Sequence, residues 1–173
     1  NQSGTVVTFS GEEDSTAVLS GFTIQNGSAT NGGGIICDKG SSPSLENVII
    51  TNNSASASGG GINCQGSSPS LVNVTINNNS ASEYGGGIYF YDSSPSLENV
   101  TITNNSASDR GGGIYFYDSS PSFSSDTLSR CNIYSNNVQN LLEGRTSRGS
   151  GADIFVENWF DVLAVIVDTF TVM

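Results

Sequence analysis

The stretch "GGGIYFYDSSPS" occurs twice, beginning at Gly85 and again at Gly111, and looser copies lie upstream. Pro43, Pro69, Pro95 and Pro121 are spaced by 26 residues each time, and the glycine triplets that begin at Gly32, Gly59, Gly85 and Gly111 by 27, 26 and 26. Each unit reads approximately G-G-G-I-x-x-x-x-S-S-P-S-L-x-N-V-x-I-x-x-N-S-A-S. The one-residue slip has a local origin: "ICDKGSSP" is one residue longer between Ile36 and Pro43 than "NCQGSSP" between Asn63 and Pro69. A repeat this short cannot bury a core by itself, so the chain has to stack copies of the unit on one another.

Within the unit apolar residues alternate with period two and show no helical period. In "NVTITNN" Val100 and Ile102 share a face opposite Thr101 and Thr103; in "GIYFYD" Ile88 and Phe90 lie opposite Tyr89 and Tyr91. Short strands between Gly, Asn, Ser-Pro and Ala-Ser corners predict an all-β, single-stranded parallel β-helix, or β-solenoid. The repeat gives about 26 residues and three strands per coil, and about six coils. Stacking predicts three inward columns: Leu19, Leu45, Leu71 and Leu97; Phe22, Val48, Val74 and Val100; Ile24, Ile50, Ile76 and Ile102. Asn47, Asn73 and Asn99 align at one corner and Asn53, Asn79 and Asn105 at the next, as structural ladders whose amides satisfy turn backbone groups. The expected organisation is one domain over residues 1–173, with regular repeats over about 19–136, a loop over about 138–150 and a terminal coil over about 151–173. Between the repeats and that loop, "FSSDTLSRCNIYSNN" carries about five extra residues.

Gly-Gly-Gly-Ile followed by Ile-x-x-Asn, as at Ile76 to Asn79 and Ile102 to Asn105, resembles the repeats of exported right-handed parallel β-helix proteins of the pectate-lyase-like group. It is most similar to the polymorphic outer-membrane and adhesin-type branch, whose repeats combine a Gly-Gly-x-Ile element with a Phe-x-x-Asn element. The resemblance covers about Leu19 to Asn136 and implies a right-handed coil. It says little about activity, because this fold carries lyases, adhesins, phage spikes and structural proteins alike.

The chemistry available is narrow. The 16 acidic residues, 5 basic residues and absence of His give a formal charge of -11, which argues against nucleic acid or an anionic membrane as partner. It also removes the commonest general base and metal ligand. No apolar run is long enough to span a bilayer, so no membrane insertion is expected. The start at Asn1, the Asn, Ser and Thr richness and the scarcity of Lys suggest an exported, extracellular or cell-surface protein. Lyases of the resembled group use a basic residue near the substrate, commonly with carboxylates holding calcium. Here Lys39 and Arg110 sit beside Asp38 and Asp109 in corners, away from clustered carboxylates, so the chain is expected not to be an enzyme and to need no cofactor. Asp92 and Asp118, or Glu46 and Glu98, could bridge calcium, but solubility is the simpler role; no metal site is assigned. The triplet Glu12, Glu13 and Asp14 reads as a solvated turn. Cys37 and Cys64 occupy the inward position of Phe90 and Phe116 as neighbours that either pair or stay buried thiols, and Cys131 replaces a Val of another column.

Two faces remain. Tyr89 over Tyr115 and Tyr91 over Tyr117 place four outward rings together, a candidate patch for a glycan or a cell-surface protein. Neither terminus carries an evident cap, while "TVVTF" and "VLAVIVDTFTV" are apolar and strand-like. Either the chain is a segment of a longer solenoid, or copies stack end to end with Val6, Val7, Phe9, Val165, Val167, Phe170 and Val172 as the candidate assembly interface. A head-to-tail contact between such ends does not close and generates a filament. The leading expectation is a non-catalytic extracellular structural protein, partnered by itself, that assembles end to end into a filament or surface layer. The alternative is an adhesin passenger segment that uses the tyrosine face. A polysaccharide lyase or hydrolase is the third reading.

Overall fold

In a computed structural model of the chain, which describes residues 3–124, 128–139 and 153–157, every regular element is a strand. Four parallel sheets run along the coil axis. Sheet I has six strands, Val7–Phe9, Ile35–Cys37, Ile62–Gln65, Ile88–Tyr91, Ile114–Tyr117 and Ile154–Glu157. Sheet II holds Val18–Ser20, Ser44–Glu46, Ser70–Val72, Ser96–Glu98 and Ser122–Phe123; sheet III holds Thr23–Gln25, Ile49–Thr51, Thr75–Asn77, Thr101–Thr103 and Asn132–Tyr134. Sheet IV is built from two-residue strands, Ser28–Ala29, Ser54–Ala55, Ser80–Ala81, Ser106–Ala107 and Asn137–Val138.

Sheet IV is where the structure departs from three strands per coil. The Ala-Ser segment was expected to be a corner, yet its two residues pair in register from coil to coil. The side-chain pattern of a two-residue strand is too short to read as an alternation. The first and last strands of sheets II, III and IV lie four turns apart, so the described residues make fewer coils than the six expected. Residues 140–152 and 158–173, which include most of the expected loop and terminal coil, lie outside the described residues. Val138, placed at the start of that loop, is instead a buried strand residue.

The columns form as the repeat requires. Leu19, Leu45, Leu71 and Leu97 are in register, and Phe123 continues the column; Ile24, Ile50, Ile76, Ile102 and Ile133 make another. The stacked interior is one continuous apolar cluster, with Val48, Val74 and Val100 fully buried. Phe22 does not join them: it is 56% exposed at the bend between Val18–Ser20 and Thr23–Gln25, although Ile24 of the same coil is buried. The slip of 27 residues is absorbed at the corner after Cys37, where Lys39 and Gly40 take φ of 54° and 80° and strand register resumes at Ser44. The five-residue insertion before Asn132 likewise leaves Thr101 paired with Asn132, with Cys131 half-buried against the core.

The glycine triplets have two jobs. The first of each takes φ between 57° and 69°, a region that favours glycine. The second lies against the backbone of the neighbouring coil: a Cβ on Gly86 would run into the Ser106 carbonyl oxygen.

Candidate functional site: the aromatic face of sheet I

Alternation along sheet I aims one set of side chains inward and the other outward. The inward set is Phe9, Cys37, Cys64, Phe90, Phe116 and Val156. Cys37 and Cys64 are both fully buried free thiols, and burial, with Cys37 alongside, pushes the Cys64 thiol well above its ordinary value. Phe90 and Phe116 stack 5.3 Å apart with planes 7° from parallel.

The outward set carries the candidate site. Asn63, Tyr89, Tyr115 and Phe155 are aligned in one row and Gln65, Tyr91, Tyr117 and Glu157 in the next. Ring centroids are 5.3 Å apart for Tyr89 and Tyr115, 5.3 Å for Tyr115 and Phe155, and 5.2 Å for Tyr91 and Tyr117, all within 11° of parallel. The expected stacking of the four tyrosines is therefore present, but they are not equally outward. Tyr115 is only 2% exposed, so its place in an open binding patch is corrected. Tyr84 lies 4.9 Å from it on one side and Phe155 stacks on another. The Tyr115 hydroxyl donates to the Glu157 carboxylate. Burial and that carboxylate together push the Tyr115 phenol well above its ordinary value, and burial pushes Tyr89 up to about 12.

Arg110 is also more constrained than an ion pair with Asp109 in a solvated corner. Its guanidinium lies 5.1 Å from the Phe155 ring centre and its Nη1 donates to Glu157 Oε2 at 3.0 Å. Tyr84 and Arg110 are bridged across coils; their shared position, just before a glycine triplet, was a usable sequence signal. Phe155 and Glu157 were not legible, since they follow the irregular stretch after the last repeat. Stacking turns one ring face of Tyr91 and one of Tyr117 toward each other, so this face shows a ligand their ring edges and hydroxyls and the outer face of Tyr91.

Both asparagine ladders exist and differ in kind. Asn53, Asn79 and Asn105 are buried, and each Oδ1 accepts from the side chain or backbone of the preceding coil. Their Nδ2 groups donate to the carbonyls of Ile24, Ile50 and Ile76. The ladder continues through Asn136 and ends on Asp153, whose Oδ1 accepts from the Asn136 backbone and amide at 3.0 and 2.9 Å. Asn47, Asn73 and Asn99 are exposed, with positive φ, and bond chiefly amide to amide at 3.3 and 2.8 Å, so they do not satisfy buried turn groups as expected. A serine ladder runs alongside: the Ser67 and Ser93 amides donate to the hydroxyls of Ser93 and Ser119. Glu13 closes the first coil, accepting from the Ser41 hydroxyl at 2.6 Å and the Gly11 amide at 2.9 Å, and is more than a solvated turn. Among the described residues no three His, Cys, Asp or Glu side chains come close enough to hold a metal ion.

Of the candidate interface, Val7 and Phe9 pack half-buried against the core and Val6 is exposed; Val165, Val167, Phe170 and Val172 lie outside the described residues. At the first strand of sheet IV, Gly4 pairs antiparallel with Ser28. Antiparallel crossing of this kind blunts a sheet edge.

Four in-register parallel sheets wound from one chain, with ladders of like residues inside, define a parallel β-helix. A family model described as a right-handed beta helix region matches residues 1–138, and the chain belongs to that family. Neither the curated proteins nor the solved structures contain a significant match.

Proposed function

We propose that the chain is a non-catalytic structural solenoid of an exported protein, extended along its axis when a second copy stacks on its first coil, into a filament or surface layer. The observation that carries the reading is the exposure of apolar side chains on that coil. Phe22 is 56% exposed, while Val48, next to it in its column, is fully buried; Val18, on the outward face of the same coil, is 54% exposed. The strands Val7–Phe9, Val18–Ser20 and Thr23–Gln25 are the outermost of sheets I, II and III, so their outer backbone groups offer a template for another parallel strand layer. Burying the apolar side chains and pairing those edges are both favourable.

Sedimentation and negative-stain electron microscopy test this. The unaltered chain is expected to form fibres or concentration-dependent oligomers, and Phe22→Asp with Val18→Lys to leave monomers with the same circular dichroism. A discrete monomer at high concentration overturns the reading.

A second reading, a binding segment for a glycan or a cell-surface protein, draws support from Tyr91, which is 44% exposed. Because Tyr91 and Tyr117 turn one ring face toward each other, such contact would use hydroxyls, ring edges and the outer face of Tyr91; retention on a glycan array unchanged by Tyr91→Ala and Tyr117→Ala would discard it. An enzyme acting on acidic polysaccharide has the least support, since Arg110 is held by Glu157 and Phe155.

A further inference from the structure

The chain has six tyrosines, Tyr84, Tyr89, Tyr91, Tyr115, Tyr117 and Tyr134, and their environments differ sharply. Tyr91 and Tyr117 are strand partners in adjacent coils, their rings 5.2 Å apart and 7° from parallel. Tyr91 is 44% exposed and Tyr117 half-buried, so solvent reaches the pair. Tyr89 and Tyr115 have almost the same mutual geometry, 5.3 Å and 11°, but Tyr115 is enclosed by Tyr84 and Phe155 and its hydroxyl is held by Glu157. Tyr134 is exposed and stands opposite Thr103, on another sheet.

We propose that Tyr91 and Tyr117 form a site of oxidative cross-linking, at which a peroxidase-type one-electron oxidant using hydrogen peroxide joins the two rings into a dityrosine. Each phenol gives one electron to the oxidant and its hydroxyl proton to water. The two phenoxyl radicals combine through the ring carbons adjacent to oxygen, forming one carbon–carbon bond. Each of those carbons then loses its hydrogen as the phenol is restored. Overall two hydrogen atoms leave the protein, and one peroxide accepting two electrons and two protons becomes two waters. The solenoid supplies the proximity: parallel strands hold equivalent residues about 4.8 Å apart, so radical pairing needs no encounter between molecules. The bond would staple neighbouring coils covalently, whether or not the solenoid also stacks end to end.

The test is to treat dilute protein with a haem peroxidase and limiting hydrogen peroxide, then read dityrosine fluorescence, intact mass and cross-linked peptides. The expected product is a monomer lighter by two hydrogen atoms, with the link mapped to Tyr91 and Tyr117. Tyr91→Phe and Tyr117→Phe should each abolish it, while Tyr89→Phe leaves it intact; unchanged circular dichroism shows that these variants fold. Absence of dityrosine after the peroxide is consumed overturns the proposal. So does a link between Tyr89 and Tyr115, or fluorescence found only in Tyr134-linked dimers.

Discussion

Asparagine does two different jobs in this chain, and the backbone separates them. Asn47, Asn73 and Asn99, like Asn52, Asn78 and Asn104, take φ between 50° and 56°, a left-handed bend that asparagine tolerates better than most residues. Asn53, Asn79 and Asn105 are not bends; they are buried hydrogen-bonding pegs. Asn79→Ala should therefore leave the buried Asn53 backbone amide without its acceptor, remove one bond to the Ile50 carbonyl and cost about 3 kcal/mol in denaturant unfolding. Asn73→Gly, at an exposed left-handed position, should change stability by less than about 0.5 kcal/mol. Glu13 adds a pH dependence. The Ser41 hydroxyl, then the Gly11 amide, hold its carboxylate at about 2, below an ordinary 4.5. The carboxylate thus favours the fold above 4.5, and that contribution disappears as pH falls through about 2. In thermal melts across that window, Glu13→Gln should lose stability less steeply than the parent chain.

At the scale of elements, close backbone approach at the glycine triplets decides how tightly coils turn. Gly86→Ala has to displace the Ser106 carbonyl in a neighbouring coil, whereas Gly66, with φ of 58°, has open space around its Cβ position. Gly66→Ala should cost about 1 kcal/mol from backbone strain alone, and Gly86→Ala several times that, measured side by side in urea. The strand Ile154–Glu157 is the other element with its own logic. It pairs with Ile114–Tyr117 and is held by three side-chain anchors: Asp153 on Asn136, Phe155 on Tyr115 and Arg110, and Glu157 on Arg110 and Tyr115. Arg110→Ala should speed hydrogen exchange at the amides of that strand while leaving Ile62–Gln65 protected.

For the whole molecule, stacked coils that contact only their neighbours behave as a nearly one-dimensional system. Amide protection should therefore peak in the coils of Ile62–Gln65 and Ile88–Tyr91 and fall toward both ends of the described stack. A uniform profile would show that the solenoid opens as one cooperative unit. By itself the sequence determined the parallel coil, its 26-residue period, the Leu and Ile columns and the alignment of the tyrosines, because a stacked repeat converts sequence spacing directly into neighbours in space. Tertiary structure alone decided what each alignment is worth. The fourth sheet, too short to show a pattern, appears only through pairing between coils. The burial of Tyr115 depends on Tyr84 beside it and on Phe155 and Glu157 from beyond the repeats. Phe22 stays exposed although its column is apolar, while Ile24, two residues on in the same coil, is buried. Periodicity reports which residues are equivalent, and burial depends on what lies on the far side of each.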